Sequence, residues 1–600
     1  MIKLKNILLL LVIITLPLSV VNAQGKKKKK ASSTNKKFTS YKLQGSSKKS
    51  VGSNRKPATS NPQQTTTNYQ LKTSKTDTAT PKEVIITSSF KPSLRNAAKI
   101  NFTAATPILD TNKLPLTYNI PSSNLFFSYQ PVAIKPMALY IDTTLNWNND
   151  AYIKLGFGNF STPYAEGGIA FGDGNKTMFS LHGKYTSSKG KLPFQDFSKT
   201  GIDFLGSITN KGDNEITTKA FWDNSVQYRY GFQPATLVFA KDDLRQAFNT
   251  IGIQIGLQNK APNIYSITYH PQLKAYSFFD NRDGSEVSLL AKLPINKTIG
   301  RLFAFDLSGT ADISSFKRQT VPNLGIIKNN LFYINPSVQF QMPNVKLNVG
   351  IQPSWDNQNF SVLPNVTAEA KISDEKFVVQ AGWVGYFNKN TYQSLAGINP
   401  YIQQPNNLQN TRIREQYAGF KGSAGKHLTF NARVSFLNMD NAVLFVNDTA
   451  SAKTQEFKTV FDPTLKSIRL HGEVGYTDQE KFSMVASINY SQFTKLNTYD
   501  KAYGLLPLEI NGALRWKILN DLTLKSDVFF WDGSHYQFKN LQSGKLSPAL
   551  DANVGAEFTI QQRLNVWLQI NNLFNNKYQR WNQYEVLGFQ VLAGVVYRFK

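Results

Sequence analysis

The chain has 600 residues and a formal net charge of +29, from 68 Lys and Arg against 39 Asp and Glu. It contains no cysteine, which excludes disulfides, thiolate metal sites and cysteine nucleophiles. Hydrophobic residues make up 41% and aromatics 12% of it, enough apolar surface for a large folded body.

Residues 1–23 have the form of a secretory signal peptide. Lys3 and Lys5 precede an apolar core from Ile7 to Ile14, Pro17 breaks it, and Val21-Asn22-Ala23 offers a small-residue cleavage site before Gln24. A membrane-spanning anchor needs about 20 apolar residues. Leu4 to Leu18 is shorter and interrupted by Lys5, Asn6, Thr15 and Pro17. Cleavage between Ala23 and Gln24 is therefore expected.

Residues 24–83 are rich in Lys, Ser and Thr, with too few large apolar side chains to bury a core, and read as a disordered tail. Lys26 to Lys99 hold 18 basic residues against Asp77 and Glu83, so most of the chain's charge belongs to this stretch. An exported tail seldom meets nucleic acid, and no nucleic-acid partner is expected. A solvated linker and attraction to an anionic surface both fit it. Residues 84–140 are Pro-rich (Pro92, Pro107, Pro115, Pro121, Pro131, Pro136), which disfavours long helices and central strands. This extended segment is expected either to fill a lumen or to dock on another protein.

From residue 141 to 600 one pattern recurs: about ten residues of alternating polarity, a turn, then ten more. Ala151 to Gly158, Tyr164 to Phe171 and Met178 to Tyr185 open the series, with Gly172-Asp-Gly-Asn175 as a hairpin turn. It continues through Phe332 to Gln341, Phe377 to Trp383, Leu428 to Phe436, Phe482 to Tyr490 and Leu564 to Ile570. No segment sustains a period of 3.6 with caps. Polar stretches such as Gly190 to Thr200, Asn388 to Arg412 and Asn447 to Pro463 separate some strands, and short turns separate others. The predicted fold is all-β: a transmembrane antiparallel barrel of about 22 strands with both termini on the periplasmic side of an outer membrane. Tyr and Trp near strand ends, among them Tyr152, Tyr164, Tyr230, Tyr417, Trp516 and Trp531, are expected in the interfacial girdle.

The last strand alternates Val591, Ala593, Val595, Tyr597 and Phe599 on one face, beginning at Leu587 and Phe589. Val595, Tyr597 and Phe599 are expected to face lipid and to present the signal that barrel-assembly machinery reads. The C-terminal quarter resembles the barrel of TonB-dependent outer-membrane receptors. The resemblance rests on Val566-Trp-Leu-Gln-Ile-Asn-Asn-Leu-Phe-Asn575, with a turn of Asn572, Leu573, Phe574 and Asn575, then Tyr578, and on the terminal Gly594-Val-Val-Tyr-Arg-Phe599. A weaker echo runs from Asn407-Leu408 through Arg414-Glu415-Gln-Tyr-Ala-Gly419. The family's N-terminal plug domain and energy-coupling motif have no recognisable counterpart here, and Lys600 follows the terminal aromatic.

The five histidines, His182, His270, His427, His471 and His535, show no metal-ligand spacing, and no phosphate loop or nucleophile elbow appears. No cofactor, metal or catalytic residue is expected. The resemblance implies a plugless receptor-type barrel acting as a passive channel or a ligand-docking receptor. The alternative is a non-transporting subunit of a larger outer-membrane complex. Expected partners are outer-membrane lipids, the assembly machinery and, through residues 24–140, other outer-membrane or periplasmic proteins.

Overall fold

A computed structural model describes residues 151–599, apart from 211, 234, 319–324, 374–375, 448–454, 479–480 and 539. The signal peptide with Ala23 and Gln24, the basic tail, the Pro-rich segment and the first ten residues assigned to the barrel lie outside the described residues.

Twenty-two antiparallel strands close into one barrel. The first strand, Ala151–Gly158, pairs with the last, Gln590–Phe599, so that Ala151 faces Phe599, Lys154 faces Val596 and Gly158 faces Leu592. Closure leaves no edge whose backbone groups would go unpaired in hydrocarbon. One barrel strand is built in two pieces, Ile267–Tyr269 and Gln272–Asp280, both paired with Ser285–Ile299. Pro271 interrupts it because proline has no N–H to give the ladder.

The alternation is inside-out relative to a soluble protein. In the first strand Tyr152 and Lys154 are 7% and 1% exposed, whereas Ile153, Leu155 and Phe157 are 39%, 45% and 63% exposed. Elsewhere Glu166, Asn329, Gln380, Glu415, Arg469 and Gln569 are buried inward while Ile251, Val349, Trp383 and Phe436 are exposed outward. An apolar exterior around a polar interior is what a hydrocarbon solvent demands. Among the described residues no helix is long and apolar enough to cross a membrane; the crossing is made by strands.

Several boundaries differ from the sequence expectation. Gly190 to Thr200 overlaps a strand, Phe197–Thr209, whose inward Lys199 and Asp203 and whose Gly201 and Gly206 blur the alternation. The closing strand starts at Gln590, not Leu587. Asn447 to Pro463 contains half of a hairpin, Ala442–Asn447 with Phe457–Asp462. Asn388 to Arg412 contains a helix, Tyr392–Ile398. The girdle assignment fails for Tyr152, Tyr164, Tyr417 and Trp531, which are buried. Tyr152 and Tyr164 donate hydroxyl hydrogen bonds to Glu166, and their rings pack at the barrel seam with Trp567, Leu592 and Val596.

Short turns gather at one end of the barrel. There Asp173 accepts the N–H groups of Asn175, Lys176 and Thr177 at 2.7–3.0 Å, a side-chain substitute for the backbone bonds of the hairpin. Ala151 and Phe599 lie at this same end. The long connections, including 229–244, 389–410, 441–464, 496–507, 532–548 and 572–589, emerge at the other.

Candidate functional site

The long connections fold inward and pack on one another across the barrel mouth. The helix Tyr392–Ile398 starts at a reciprocal cap: Ser394 N–H donates to Thr391 Oγ1 at 3.1 Å and Thr391 N–H donates to Ser394 Oγ at 2.9 Å. Seven residues cannot hold a helix in isolation; the barrel wall holds this one. Tyr392 donates its hydroxyl to Asp280 at 2.7 Å and its N–H to Glu286 at 2.5 Å. Its ring lies 4.8 Å from Phe316 and 5.1 Å from Phe278, both inward-facing wall residues. Burial, with the charge of Asp280 beside it, raises the Tyr392 phenol well above its ordinary range. It is a permanent donor.

Three tyrosines meet at the centre. Tyr401 stacks on Tyr584 with ring centroids 3.4 Å apart, and Tyr230 meets Tyr584 edge-on at 5.0 Å and Tyr401 at 6.2 Å. They belong to connections 389–410, 572–589 and 229–244, which leave the 22-strand ring eight, eight and six strands apart. Three points almost evenly spaced around the rim therefore reach a common junction. The hairpin 442–462 joins it from a fourth side: Phe445 and Phe457 lie 5.2 and 5.6 Å from Trp581. Ile402, Val443, Phe445, Phe457, Trp581 and Tyr584 are all buried, so this lid has an interior of its own.

A polar frame surrounds that interior. Arg229, 1% exposed, places Nη1 2.7 Å from Glu456 Oε1, which also pairs with Arg282 at 3.0 Å. Gln403 donates to the other Glu456 oxygen at 2.9 Å, and Gln227 donates to the Pro400 carbonyl at 3.0 Å. Asp462 accepts the backbone N–H groups of Thr464, Asn497, Thr498 and Tyr499, tying the hairpin to connection 496–507. Burial alone would raise the Asp462 carboxyl; the four N–H groups outweigh it and hold the group below its ordinary value. Arg580 donates to the Gly504 carbonyl at 3.1 Å and lies 4.3 Å over the Trp581 ring. Burial lowers Arg580 to about 10, against the opposing charge of Glu509, so it stays charged at neutral pH.

The turn identified from the sequence opens connection 572–589. Asn572 and Asn575 adopt left-handed backbone angles, φ 47° and 52°, which Asn tolerates better than most residues. Asn572 Nδ2 donates to the carbonyls of Asn576 and Leu587 at 2.9 Å, and Asn575 Oδ1 accepts the Phe589 N–H at 2.9 Å. The two Asn side chains thus pin both ends of the connection. Leu573 and Phe574 are exposed, while Tyr578 is buried against Trp531 at 5.0 Å and donates to Asp551. Val595, Tyr597 and Phe599 are exposed on the outer wall, far from the lid.

The histidines stay dispersed. His182 lies 3.3 Å from Asp203 and 3.4 Å from Glu166 on the inner wall, and His471 lies 2.8 Å from Asn489. Among the described residues no group of three or more His, Cys, Asp or Glu is placed to hold a metal ion. The lid residues Arg229, Tyr392, Tyr401, Glu456 and Tyr584 carry no periodic signal that a sequence could display. Tyr230 carries a misleading one, since a Tyr at a strand end reads as girdle.

No protein-family model matches the chain, and no curated protein matches it. Solved structures do. The FrpB iron transporter of Neisseria meningitidis (F3-3 variant) aligns over 76% of this chain and 82% of its own, at 12% identity and a TM-score of 0.56. The siderophore receptor PirA of Acinetobacter baumannii aligns over 75% and 80%, at 9% identity and 0.58. A mutant of the ferric enterobactin receptor PfeA of Pseudomonas aeruginosa, solved with enterobactin, aligns over 75% and 81%, at 11% identity and 0.56. The fold is that of the TonB-dependent receptor barrel. At these identities the likeness concerns the fold, and it agrees with the resemblance carried by Val566 to Phe599.

Proposed function

We propose that this chain is an outer-membrane receptor-type barrel whose inward-folded connections form a closed, ligand-docking face, not an open passive channel. The observation that carries this is the junction of Tyr230, Tyr401 and Tyr584. An aromatic interior built from three distant sectors of the rim leaves the mouth obstructed by packed side chains, and packed interiors resist the passage of solutes. The lid offers a fixed frame from which exposed tips such as Val238 and Leu573-Phe574 project, and loops on a rigid scaffold are where binding residues concentrate. From the solved neighbours we carry over the docking mode and not the ligand. No reaction is proposed. A lumen-filling or docking role for residues 84–140 is compatible with this function and separable from it.

The experiment uses the absence of native cysteine. Val238, 94% exposed on connection 229–244, and Ile264, 90% exposed on a turn at the opposite end, are each replaced by Cys. A membrane-impermeant maleimide should label Val238→Cys on intact cells and label Ile264→Cys only after the outer membrane is broken. The reverse pattern would put the lid on the periplasmic side and remove it from extracellular ligands. A barrel that labels as expected yet purifies in fixed stoichiometry with other membrane proteins would favour the subunit reading.

A further inference from the structure

The apolar exterior is not uniform. Most outward positions carry branched or aromatic side chains, but small residues gather in places. Ala368, Ala381 and Ala418 lie side by side on three adjoining strands, and Ala291, Ala311 and Gly309 form a second such floor. Ala291 and Ala311 face each other across neighbouring strands. Gly309 sits one outward step along from Ala311, between Leu293 and Ile334. A Cβ placed on Gly309 would meet no atom within 4 Å. Bulky residues rise around this floor: Ile255 and Leu273 on one flank, Phe332, Ile334 and Trp355 on the other, all 38–45% exposed. Together they line a groove whose surface is almost wholly apolar, with Pro271 at its margin.

The groove opens toward hydrocarbon, so its occupant must be apolar; water has no polar partner there. Its floor is bent, running across two strands and then along one, and its walls are branched side chains. A flexible linear chain can follow such a floor where a rigid helix or a flat sheet face cannot. Atoms lining an unfilled gap also lose dispersion contacts outright, which favours whatever fills it closely. We propose that this groove is a binding site for an acyl chain of a membrane lipid, held in preference to chains along the rest of the belt. The proposal rests on the membrane-spanning reading of the barrel, and its test keeps the two apart.

Trp355 borders the groove, and Trp383, 51% exposed, stands on the outer wall of the strand Phe377–Asn388 outside it. The full chain is reconstituted in phosphatidylethanolamine–phosphatidylglycerol vesicles with a rising fraction of phospholipid brominated on its acyl chains. Subtracting the Trp355→Phe and Trp383→Phe signals isolates each tryptophan. Quenching of Trp355 should reach half its maximum at a brominated fraction several-fold lower than quenching of Trp383. Gly309→Leu, whose side chain enters open space, should bring the two curves together, and Ala311→Phe should do the same. Coincident curves in the native protein would overturn the proposal, as would a Trp355 preference that survives both fillings; either result points to ordinary annular lipid or a protein partner. Quenching of neither tryptophan would instead remove the membrane-spanning reading itself.

Discussion

Tyr401 and Tyr584 lie face to face, ring centroids 3.4 Å and ring planes 17° apart, although eight barrel strands separate the connections that carry them. A stack between two points so far apart on the rim exists only if both connections turn inward. It therefore reports the closed state of the mouth more directly than any single loop contact.

Removing one ring should loosen the lid and spare the barrel. Tyr584 is buried and also donates to the Gln455 carbonyl. Tyr584→Ala should cost the lid about 3–5 kcal/mol, as large-to-small changes in aromatic cores do. Hydrogen exchange should accelerate in connections 389–410 and 441–464, while the strand ladders stay protected and the heat-modifiable band on gels is unchanged. Loss of the folded band would mean that lid and barrel form one cooperative unit.

The lid should also be sensitive to acid at one named place. Asp462 has a depressed folded-state pKa, so its contribution is fully present above the unfolded value of about 3.9 and is lost as pH falls through the lower folded value. Amide protection at Asn497, Thr498 and Tyr499 should hold at neutral pH and collapse only in strong acid. Asp462→Asn, which keeps one acceptor but no charge, should lower that protection by about 1 kcal/mol or more at neutral pH, and the difference from the native protein should vanish in strong acid. Protection in the Asn variant equal to the native would show that the charge contributes nothing.

The seam gives a steric prediction. A Cβ on Gly156 would stand 2.3 Å from the Trp567 ring, whereas one on Gly183 would meet nothing within 4 Å. Gly156→Val should destabilise closure by about 1–3 kcal/mol through overpacking, lowering the temperature at which the compact band converts on gels. Gly183→Ala should leave that temperature unchanged. Equal behaviour of the two would place Trp567 elsewhere.

A further test separates stability from recognition at the end of the chain. Phe599 is exposed on the outer wall, opposite Ala151 in the seam. An acidic residue near the interface costs a barrel only about 0–1 kcal/mol. Phe599→Asp should fail to reach the membrane if Val595, Tyr597 and Phe599 form the assembly signal. Normal insertion would remove that role.

The barrel was legible in the sequence because each strand repeats every two residues against the same two solvents. Ile153, Leu155 and Phe157 announce their face whatever lies elsewhere in the chain. The lid was not legible. Tyr401 sits among Asn, Gln and Pro in a stretch that reads as solvated loop, and its partner lies nearly two hundred residues away with no shared period. Glu456 and Arg229 are likewise ordinary surface residues until the fold brings them to 2.7 Å. The girdle misassignment has a physical cause: Tyr suits both a membrane interface and a buried donor site, and Tyr152 and Tyr164 serve the second by hydrogen bonding Glu166.

A closed mouth is what distinguishes a ligand-docking barrel from a passive channel. Single-channel recording in planar bilayers, on the purified full chain and on the Tyr401→Ala/Tyr584→Ala double variant, measures this directly. A silent or rarely opening native protein, with long-lived large conductance steps in the variant, is the predicted result. Steady large conductance from the native protein, unchanged by the double substitution, would contradict it and identify a passive channel.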